Sequence, residues 1–471
     1  MTALPRQPRR RPLRDPAGRP AILAFLLALC LVAGLVACPP ALAGVDDTID
    51  RILSEREIAR SAAGIYVWDL DAGRAVYAHN GDTRFTPASN MKLITAAAAL
   101  IEWDAEHRFT TELYASGDRV VNGVLPGNLY LRGYGDPSLS TAAFQRRELG
   151  FSTATVEAFV RSVRARGITT VAGRVVGDEG WFDDERAVDS WKPGIDAWCG
   201  PLSALSANQG RHGKKRVAEP ASYAAALLTT ALRKAGVKVS RGATTGSLPA
   251  SAILLQEQRS AELGVLLAHM NKQSDNHFAE TLLKGLGKDT RDLGSTESGA
   301  AQSKQTLATI GIPPSDAVIA DGSGLSYANR LTAHDIARVL GAMWQRQDFG
   351  SYYNSLSIAG KDGTLHDRMR GTAAQGNARA KTGTLNVATS LSGYVRSADN
   401  HLVAFSILIT GNPVDWERGN AAQDAIVAAL AEAQLGGRRA LRVGPETRQC
   451  LVLADEAVHT VGRALKPVVE P

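Results

Sequence analysis

The sequence has few cysteines and little net charge, and both shortages narrow the class of protein. Only four cysteines occur in 471 residues, and Cys30 and Cys38 lie in an apolar N-terminal stretch. Cys199 and Cys450 remain, and two well-separated cysteines do not make a disulfide scaffold, nor does the sequence show whether they pair. The formal charge of +6 arises mostly from residues 1–43, which carry six arginines and one aspartate. The remainder is close to neutral, so nucleic acid is not expected as a partner.

Several signatures of catalytic chemistry are also missing. No H-E-x-x-H motif and no cysteine–histidine cluster occurs, so neither a metal nor any other cofactor is predicted. The G-x-S-x-G pattern of α/β-hydrolases is absent, and "RGYGDPS" is not a dinucleotide fingerprint. Internal repeats and low-complexity tracts are lacking too. Any enzyme activity must therefore rest on side chains brought together from separate segments.

The N-terminal stretch 1–43 is predicted to be a cleaved signal peptide. A basic segment precedes the apolar run "AILAFLLALCLVAGLVA", and "ALA" at 41–43 has the small-x-small form of a cleavage site. The run is short for a membrane span, although an uncleaved anchor is the alternative. "LVAC" at 35–38 also resembles a lipoprotein box, which leaves lipidation of Cys38 open. The prediction is export to the periplasm, with peripheral membrane association left open.

The order of periodic segments predicts an α/β (α+β) fold with a split domain. A helix and a hairpin come first, most helices and two apolar strands come last, and short strands dominate between them. We therefore predict a discontinuous domain at 44–104 and 256–436, with a central antiparallel sheet flanked by helices. A strand-rich domain at 105–255 is inserted into it. The C-terminal tail 437–471 is predicted to be poorly ordered.

A lysine near the start of an otherwise apolar helix is the first chemical signal. "FTPASNMKLITAAAALIEW" places Ser89 three residues before Lys92, and residues three apart share a helix face. A serine hydroxyl needs a base, and burial near a helix N-terminus lowers a lysine pKa towards that role. Ser-x-x-Lys also arises by chance, so alone it indicates catalysis weakly.

Two further triplets strengthen the signal. Ser274-Asp275-Asn276 lies between helical segments, where a hydroxyl and a carboxamide can relay a proton and hold an amide. Lys381-Thr382-Gly383 begins an apolar strand, where a cation and a hydroxyl can bind a carboxylate. Gly383 is expected to leave room for a peptide at the strand edge. A helix cap and a turn would explain the two triplets singly, but the ordered set is specific.

With these motifs in place, the chain resembles the low-molecular-mass class C penicillin-binding proteins, the D-alanyl-D-alanine carboxypeptidase/endopeptidase family typified by penicillin-binding protein 4. The resemblance covers about 44–435 and includes "ASNMKLITAAAAL", "GDPSLS", "PLSALSANQG", "SDNHFAETLL", "ADGSGLSYANRLT" and "AKTGTLNVATSLSGYV". The gap of 181 residues between Lys92 and Ser274 is typical of this subfamily. A transpeptidase/β-lactamase-like fold is thus implied for the split domain.

The resemblance implies a role for each motif residue. Ser89 would attack the penultimate D-alanine carbonyl, with Lys92 as its base. Ser274 would pass a proton to the leaving amine, and Asn276 would hold both the donor peptide and Lys92. Lys381 would supply positive potential.

Substrate binding is implied for the strand that carries the last triplet. Thr382 would bind the terminal carboxylate, and Thr384 would share an oxyanion hole with the backbone N–H of Ser89. The implied partners are peptidoglycan stem peptides, with β-lactams as acylating inhibitors. The resemblance leaves open the balance between carboxypeptidase and endopeptidase activity, the diamino acid of the stem peptide and the oligomeric state.

Two other functions remain as alternatives. A β-lactamase or esterase on the same fold would need a further base for fast deacylation, and none is identifiable. A non-catalytic wall-binding protein would not need all three intact triplets. One departure from the family is that "SALSANQG" runs through the short basic link "RHGKKRV" to the next helix, which predicts loss of the small third domain of the prototype. Asp136 in "GDPSLS" is interpreted as a turn former rather than a cleft residue.

Overall fold

A computed structural model describes residues 44–55, 62–117, 120–312 and 317–436. The predicted signal peptide, the C-terminal tail and Cys450 lie outside these ranges. In the described residues the helices are α1 (Val45–Leu53), α2 (Met91–Trp103), α3 (Ala142–Phe144), α4 (Val156–Ala165), α5 (Pro220–Lys234), α6 (Leu263–Lys272), α7 (Asn276–Arg291), α8 (Thr296–Thr309), α9 (Ala333–Trp344), α10 (Phe349–Ser355) and α11 (Trp416–Glu432). No helix in these ranges is long and apolar enough to cross a membrane.

The strands form two larger sheets and three smaller ones. In chain order they are β1 (Ala62–Asp69), β2 (Arg74–His79), β3 (Arg84–Phe85), β4 (Thr110–Ala115), β5 (Val124–Leu125), β6 (Leu129–Gly133), β7 (Thr170–Val171), β8 (Val175–Asp178), β9 (Arg211–His212), β10 (Lys215–Arg216), β11 (Lys238–Val239), β12 (Thr244–Thr245), β13 (Ile253–Arg259), β14 (Leu331–Thr332), β15 (Ser357–Ile358), β16 (Arg379–Leu385), β17 (Ala388–Arg396) and β18 (Leu402–Thr410). Mixed helices and antiparallel sheets confirm the predicted fold class.

The main sheet joins the two ends of the chain. Its order is β15-β16-β17-β18-β1-β2, and every neighbouring pair is antiparallel. β1 pairs with β18 from Ala62↔Thr410 to Asp69↔Val403. The early hairpin and the late strands therefore share one sheet, which is the arrangement that the split domain requires. The exact domain boundaries stay a prediction.

Apolar side chains cover both faces of this sheet. Because side chains alternate along a strand, Tyr66 faces one cluster while Ile65 and Val67 face the other. The first cluster includes α2, α6, α7 and α9, and the second includes α1 and α11. This double burial explains why β18 is a nearly continuous apolar run. β17 is also buried except at its last residue, although three of its residues are serine or threonine.

The middle of the chain builds its own sheets and core. A five-stranded sheet has the order β12-β8-β6-β4-β13, and a three-stranded sheet has the order β11-β7-β5. α4 and α5 pack on their apolar cluster. β13 ends at Arg259, so this sheet extends past residue 255. Between Gly210 and α5 the chain makes only the β9–β10 hairpin.

Local sequence explains where several elements begin. Thr332 caps α9 by accepting a hydrogen bond from Asp335 N, and the Asp335 carboxylate accepts one from Thr332 N. This reciprocal pair is a capping box, which Thr332 and Asp335 form because they lie three positions apart. Asp275 caps α7 by accepting from Phe278 N. Asn276 is therefore held at the first position of α7.

Candidate active site

Ser89 lies in a tight 3-10 turn, Ala88–Asn90, that leads directly into α2. The sequence analysis placed Ser89 on the first turn of the helix itself, whereas in the structure Ser89 lies just before the helix begins. Ala88 adopts a positive φ of 47°, a conformation that is unfavourable for an L-residue. Gly324, at φ +84°, lies so close that a Cβ would come within 1.9 Å of Ala88 O. Tertiary packing thus imposes the backbone shape around the serine.

Lys92 is fully buried beneath the partly exposed Ser89. Its Nζ lies 3.1 Å from Ser89 Oγ, 2.7 Å from Asn276 Oδ1 and 2.7 Å from Ser323 O. The two carbonyl oxygens accept only, whereas the hydroxyl can donate. An ammonium can donate to all three oxygens. A neutral amine can donate its two N–H groups to the carbonyl oxygens and accept a hydrogen bond from the Ser89 hydroxyl.

Burial shifts the protonation of Lys92 towards the neutral amine. Burial lowers the pKa of Lys92 from 10.5 to about 8, although the negative charges of Asp321, Glu280 and Asp275 oppose the decrease. Desolvation therefore outweighs three acidic neighbours. The pKa of Lys92 is therefore shifted in the direction that a role as a base requires.

The second triplet meets the first through its hydroxyl and its amide. Ser274 adopts a positive φ of 54° in the turn between α6 and α7. Asn276 Nδ2 donates to Trp198 O over 3.0 Å, which orients Oδ1 towards Lys92. Because the middle of the chain supplies that carbonyl, it helps to position the amine of Lys92.

Lys381 on β16 completes the cluster. Its Nζ donates to Ser274 Oγ over 3.0 Å and to Thr382 O over 2.8 Å. Burial and the charge of Lys92 both lower the pKa of Lys381 well below its ordinary value. Two ammonium groups are therefore disfavoured in this pocket unless an anion enters it.

Gly383 is required for a different reason from the expected one. An ideal Cβ at this position would lie 2.3 Å from Ser390 Oγ, 2.8 Å from Ser89 N and 3.0 Å from Pro87 O. The absence of a side chain at Gly383 therefore lets β16 approach Ser89. The space that a Cβ would fill is occupied by the protein itself, whereas the sequence analysis expected it to be left for a peptide. The Ser89 N–H consequently lies alongside β16.

The two threonines lie on the same strand with different exposure. Thr382 is partly exposed and donates to Thr364 Oγ1 over 2.8 Å. Thr384 is exposed and pairs in register with Thr389 on β17. Thr364, in "KDGTL", is a further hydroxyl at this position that the sequence analysis did not identify.

The sequence analysis also missed Glu280, which supports the site by binding the backbone next to Lys92. Glu280 accepts hydrogen bonds from Gly322 N (3.1 Å) and Ser323 N (2.7 Å), which directs Ser323 O towards Lys92. Burial and the charge of Asp321 raise the pKa of Glu280. The only available signal was its spacing of four residues from Asn276, which places both on one face of α7.

A second support comes from the middle of the chain. Gln209 Nε2 donates to Asp275 Oδ2 over 2.6 Å, and His269 Nε2 lies 3.1 Å from the same oxygen. Gln209 and Asn208 both have positive φ, 55° and 54°. These strained residues belong to "SANQG" and reach the triplet only because the chain folds back on itself.

Other singled-out residues have structural roles. Asp136 is buried and its Oδ1 accepts from Ser138 N (2.8 Å) and Ser138 Oγ (2.6 Å), which is the turn role, and burial raises the pKa of Asp136 to about 6. His277 is a buried helix residue whose pKa is lowered to about 4 by burial. Cys199 is buried. Among the residues the structure describes, no cluster of His, Cys, Asp or Glu could hold a metal ion.

Comparison with known proteins identifies the family to which the chain belongs. A family model described as the D-Ala-D-Ala carboxypeptidase 3 (S13) family matches residues 45–213 and 203–433. The D-alanyl-D-alanine carboxypeptidase of Actinomadura sp. (strain R39) is 31% identical over 468 residues, covering 82% of this chain and 84% of that protein. Carboxypeptidase DacB of Mycolicibacterium smegmatis is 30% identical, covering 79% and 80%.

Solved structures show the same fold. Penicillin binding protein 4 (dacB) from Haemophilus influenzae superposes with a TM-score of 0.67 at 21% identity, covering 89% of this chain and 99% of that one. A peptidoglycan endopeptidase of Bdellovibrio bacteriovorus gives 0.53 at 18% identity, covering 81% and 95%. Together, the site and the relatives define a serine-type carboxypeptidase. The chain belongs to the D-Ala-D-Ala carboxypeptidase 3 (S13) family.

Proposed function

We propose that the enzyme is exported and removes the terminal D-alanine of peptidoglycan stem peptides through an acyl-enzyme on Ser89. The observation that carries this proposal is the environment of Lys92: a buried amine that lies 2.7 Å from each of two carbonyl oxygens and 3.1 Å from the Ser89 hydroxyl. Such an amine can take the hydroxyl proton as the oxygen attacks.

The acylation step uses groups from all three motifs. Lys92 accepts the proton from Ser89 Oγ, and the oxygen bonds to the carbonyl carbon of the penultimate D-alanine. The backbone N–H groups of Ser89 and Thr384 stabilise the oxyanion that forms. The C–N bond then breaks, and the Ser274 hydroxyl relays to the departing amine the proton that Lys92 accepted, so that both Lys92 and Ser274 return to their starting states.

Binding of the substrate carboxylate is assigned to β16. Lys381 is buried with its pKa lowered partly by the charge of Lys92, so an incoming carboxylate supplies the counter-charge that restores its ammonium form. Thr382 donates a second hydrogen bond to the same group. This pairing selects peptides that end in a free carboxylate and leaves Lys92 as the neutral partner.

Deacylation returns the enzyme to its starting state. Water attacks the ester on Ser89, the shortened peptide leaves as a carboxylate, and the serine oxygen regains a proton. Asn276 holds Lys92 and the peptide backbone through both halves of the cycle. β-Lactams present a similar carbonyl and carboxylate, so they acylate Ser89, and a D-alanyl cross-link is a further substrate that offers the same bond.

The cellular location of the enzyme follows from the predicted signal peptide and from the proposed substrate. Residues 1–43 have the form of a signal peptide, and peptidoglycan lies outside the cytoplasmic membrane, so we place the mature enzyme in the periplasm.

Fluorescent penicillin labelling with muropeptide mass spectrometry tests the proposal. The wild type should retain the label on Ser89 and release one alanine per stem peptide, whereas Ser89→Ala should do neither. Rapid turnover of the label would instead indicate a β-lactamase, and absence of labelling in the folded wild type would indicate a non-catalytic protein. Loss of cross-linked muropeptides would show endopeptidase activity, because that loss changes the mass differently.

A further inference from the structure

The short link "RHGKKRV", residues 211–217, folds into a basic hairpin. In this hairpin β9 pairs with β10 through Arg216↔Arg211 and Lys215↔His212. The turn between them contains Gly213 at φ +63°. Lys214 and Lys215 are exposed. Four of its seven residues are lysine or arginine, so positive charge is concentrated at one place on a nearly neutral protein.

Most of this charge is uncompensated. Arg211 lies 3.7 Å from Glu148. Within the described ranges, no carboxylate lies within ion-pair distance of Lys214, Lys215 or Arg216. Uncompensated cations at one position attract an anionic partner more strongly than the same charges scattered over the surface.

The hairpin lies at the rim of the active site. Arg216 donates to Ala197 O over 3.4 Å, and a Cβ on Gly200 would lie 2.9 Å from the Arg216 guanidinium. Between these two contacts lies Trp198, whose carbonyl accepts from Asn276. The base of the hairpin is therefore adjacent to a residue that touches the site.

The hairpin is also anchored, although two short strands alone would be marginal. Val217 N donates to Gly210 O over 2.9 Å, and Tyr223 Oη donates to Arg211 O over 2.9 Å. The ring of Tyr223 meets His212 edge-on at 6.0 Å. These contacts to α5 and to the preceding turn hold the two lysines in a fixed position.

From this placement we infer that the basic hairpin binds neighbouring acidic stem peptides of polymeric peptidoglycan while one stem peptide occupies the active site. The inference rests on the proposed function. Every uncleaved stem peptide ends in a carboxylate, so the polymer presents repeated anions around the peptide in the cleft. A narrow charged ridge beside a cleft fits a strand of this polymer, whereas a flat anionic bilayer would favour a broad basic face.

The test compares matched double variants in a Ser89→Ala background, which cannot cleave the polymer. One is Lys214→Ser/Lys215→Ser, and its control is Lys234→Ser/Lys238→Ser, which removes two exposed lysines elsewhere in the same segment. Co-sedimentation with purified peptidoglycan sacculi should show about three- to tenfold weaker binding for the hairpin variant at low salt, and the control should bind normally. High salt should remove the difference, since it screens exposed charges.

Further measurements separate the outcomes. With Ser89 restored, the hairpin variant should cleave a soluble acyl-D-Ala-D-Ala peptide at the wild-type rate. Equal binding of both variants to sacculi would overturn the inference, and so would hairpin-dependent binding to anionic phospholipid vesicles but not to sacculi. If sacculi bind through the hairpin while the wild type releases no alanine, the proposed function fails and the binding surface stands.

Discussion

The sharpest prediction concerns the pH dependence of Ser89 acylation. Lys92 must be neutral to take the serine proton, and burial lowers its pKa from 10.5 to about 8. At the ordinary pKa, roughly one amine in 3000 would be neutral at pH 7, whereas at about 8 the fraction is roughly one in ten. The tertiary environment thus raises the reactive fraction about 300-fold, on the order of 3 kcal/mol.

The sign of the effect is fixed by the chemistry. Below pH 8 the amine gains a proton, so the second-order rate constant for penicillin acylation should fall about tenfold for each pH unit. Above pH 8 the rate constant should level off because the base is already neutral. Stopped-flow measurement of fluorescent penicillin binding between pH 5.5 and 9.5 follows the acylation step directly, provided that the label stays attached to Ser89 during the measurement.

A variant at the same position provides the control. Lys92→Arg keeps a cation of similar length, but a guanidinium does not lose its proton in this range. Its acylation should be slower than wild type by at least about 100-fold at pH 8. A wild-type rate constant that is flat from pH 6 to 9, or still rising tenfold per unit above pH 9, would refute the reasoning about Lys92.

Two further predictions test the contacts around the site. Gly383→Ala should slow acylation at least about 100-fold, since its Cβ would lie 2.8 Å from the backbone nitrogen of Ser89 and force β16 away. The control is Gly350→Ala, whose Cβ meets nothing within 4 Å. Equal acylation rates for the two variants would contradict the close approach of β16 to Ser89. Asp321→Asn removes the largest of the charges that raise the pKa of Lys92, so the acid limb of the acylation profile should move to lower pH. Trp191→Phe removes a 2.8 Å hydrogen bond to Asp321 and part of a packed ring but changes no charge, so it should leave the limb in place. A shift in both variants or in neither would argue against a charge effect.

Periodicity and turn chemistry were sufficient to predict much of the local structure. The early hairpin of β1 and β2 and the two late strands β17 and β18 are both present. These features depend on neighbouring residues, so the local sequence encodes them. The position of Ser89 was predicted less accurately, because contacts with Gly324 and β16 from distant parts of the chain impose the turn before α2.

The supports of the site were beyond the reach of sequence patterns. Glu280, Asp321 and Gln209 carry no recognisable motif chemistry, yet they hold Ser323 O, the 321–326 loop and Asp275. The partners of Glu280 and Gln209 lie 43 and 66 positions away along the chain. Long-range pairs of this kind appear only when the fold brings both members together.

The sequence by itself determined which reactive side chains this protein has, because Ser89, Lys92 and the other two triplets are short motifs with intrinsic chemistry. Only the tertiary structure decided that they converge, since α2, the start of α7 and β16 come from segments far apart in the chain: Lys92 and Asn276 are 184 positions apart, and Ser274 and Lys381 are 107 apart. The tertiary structure also decided the protonation of Lys92. A pKa depends on how much water and charge surround a group, and the folded environment alone sets both.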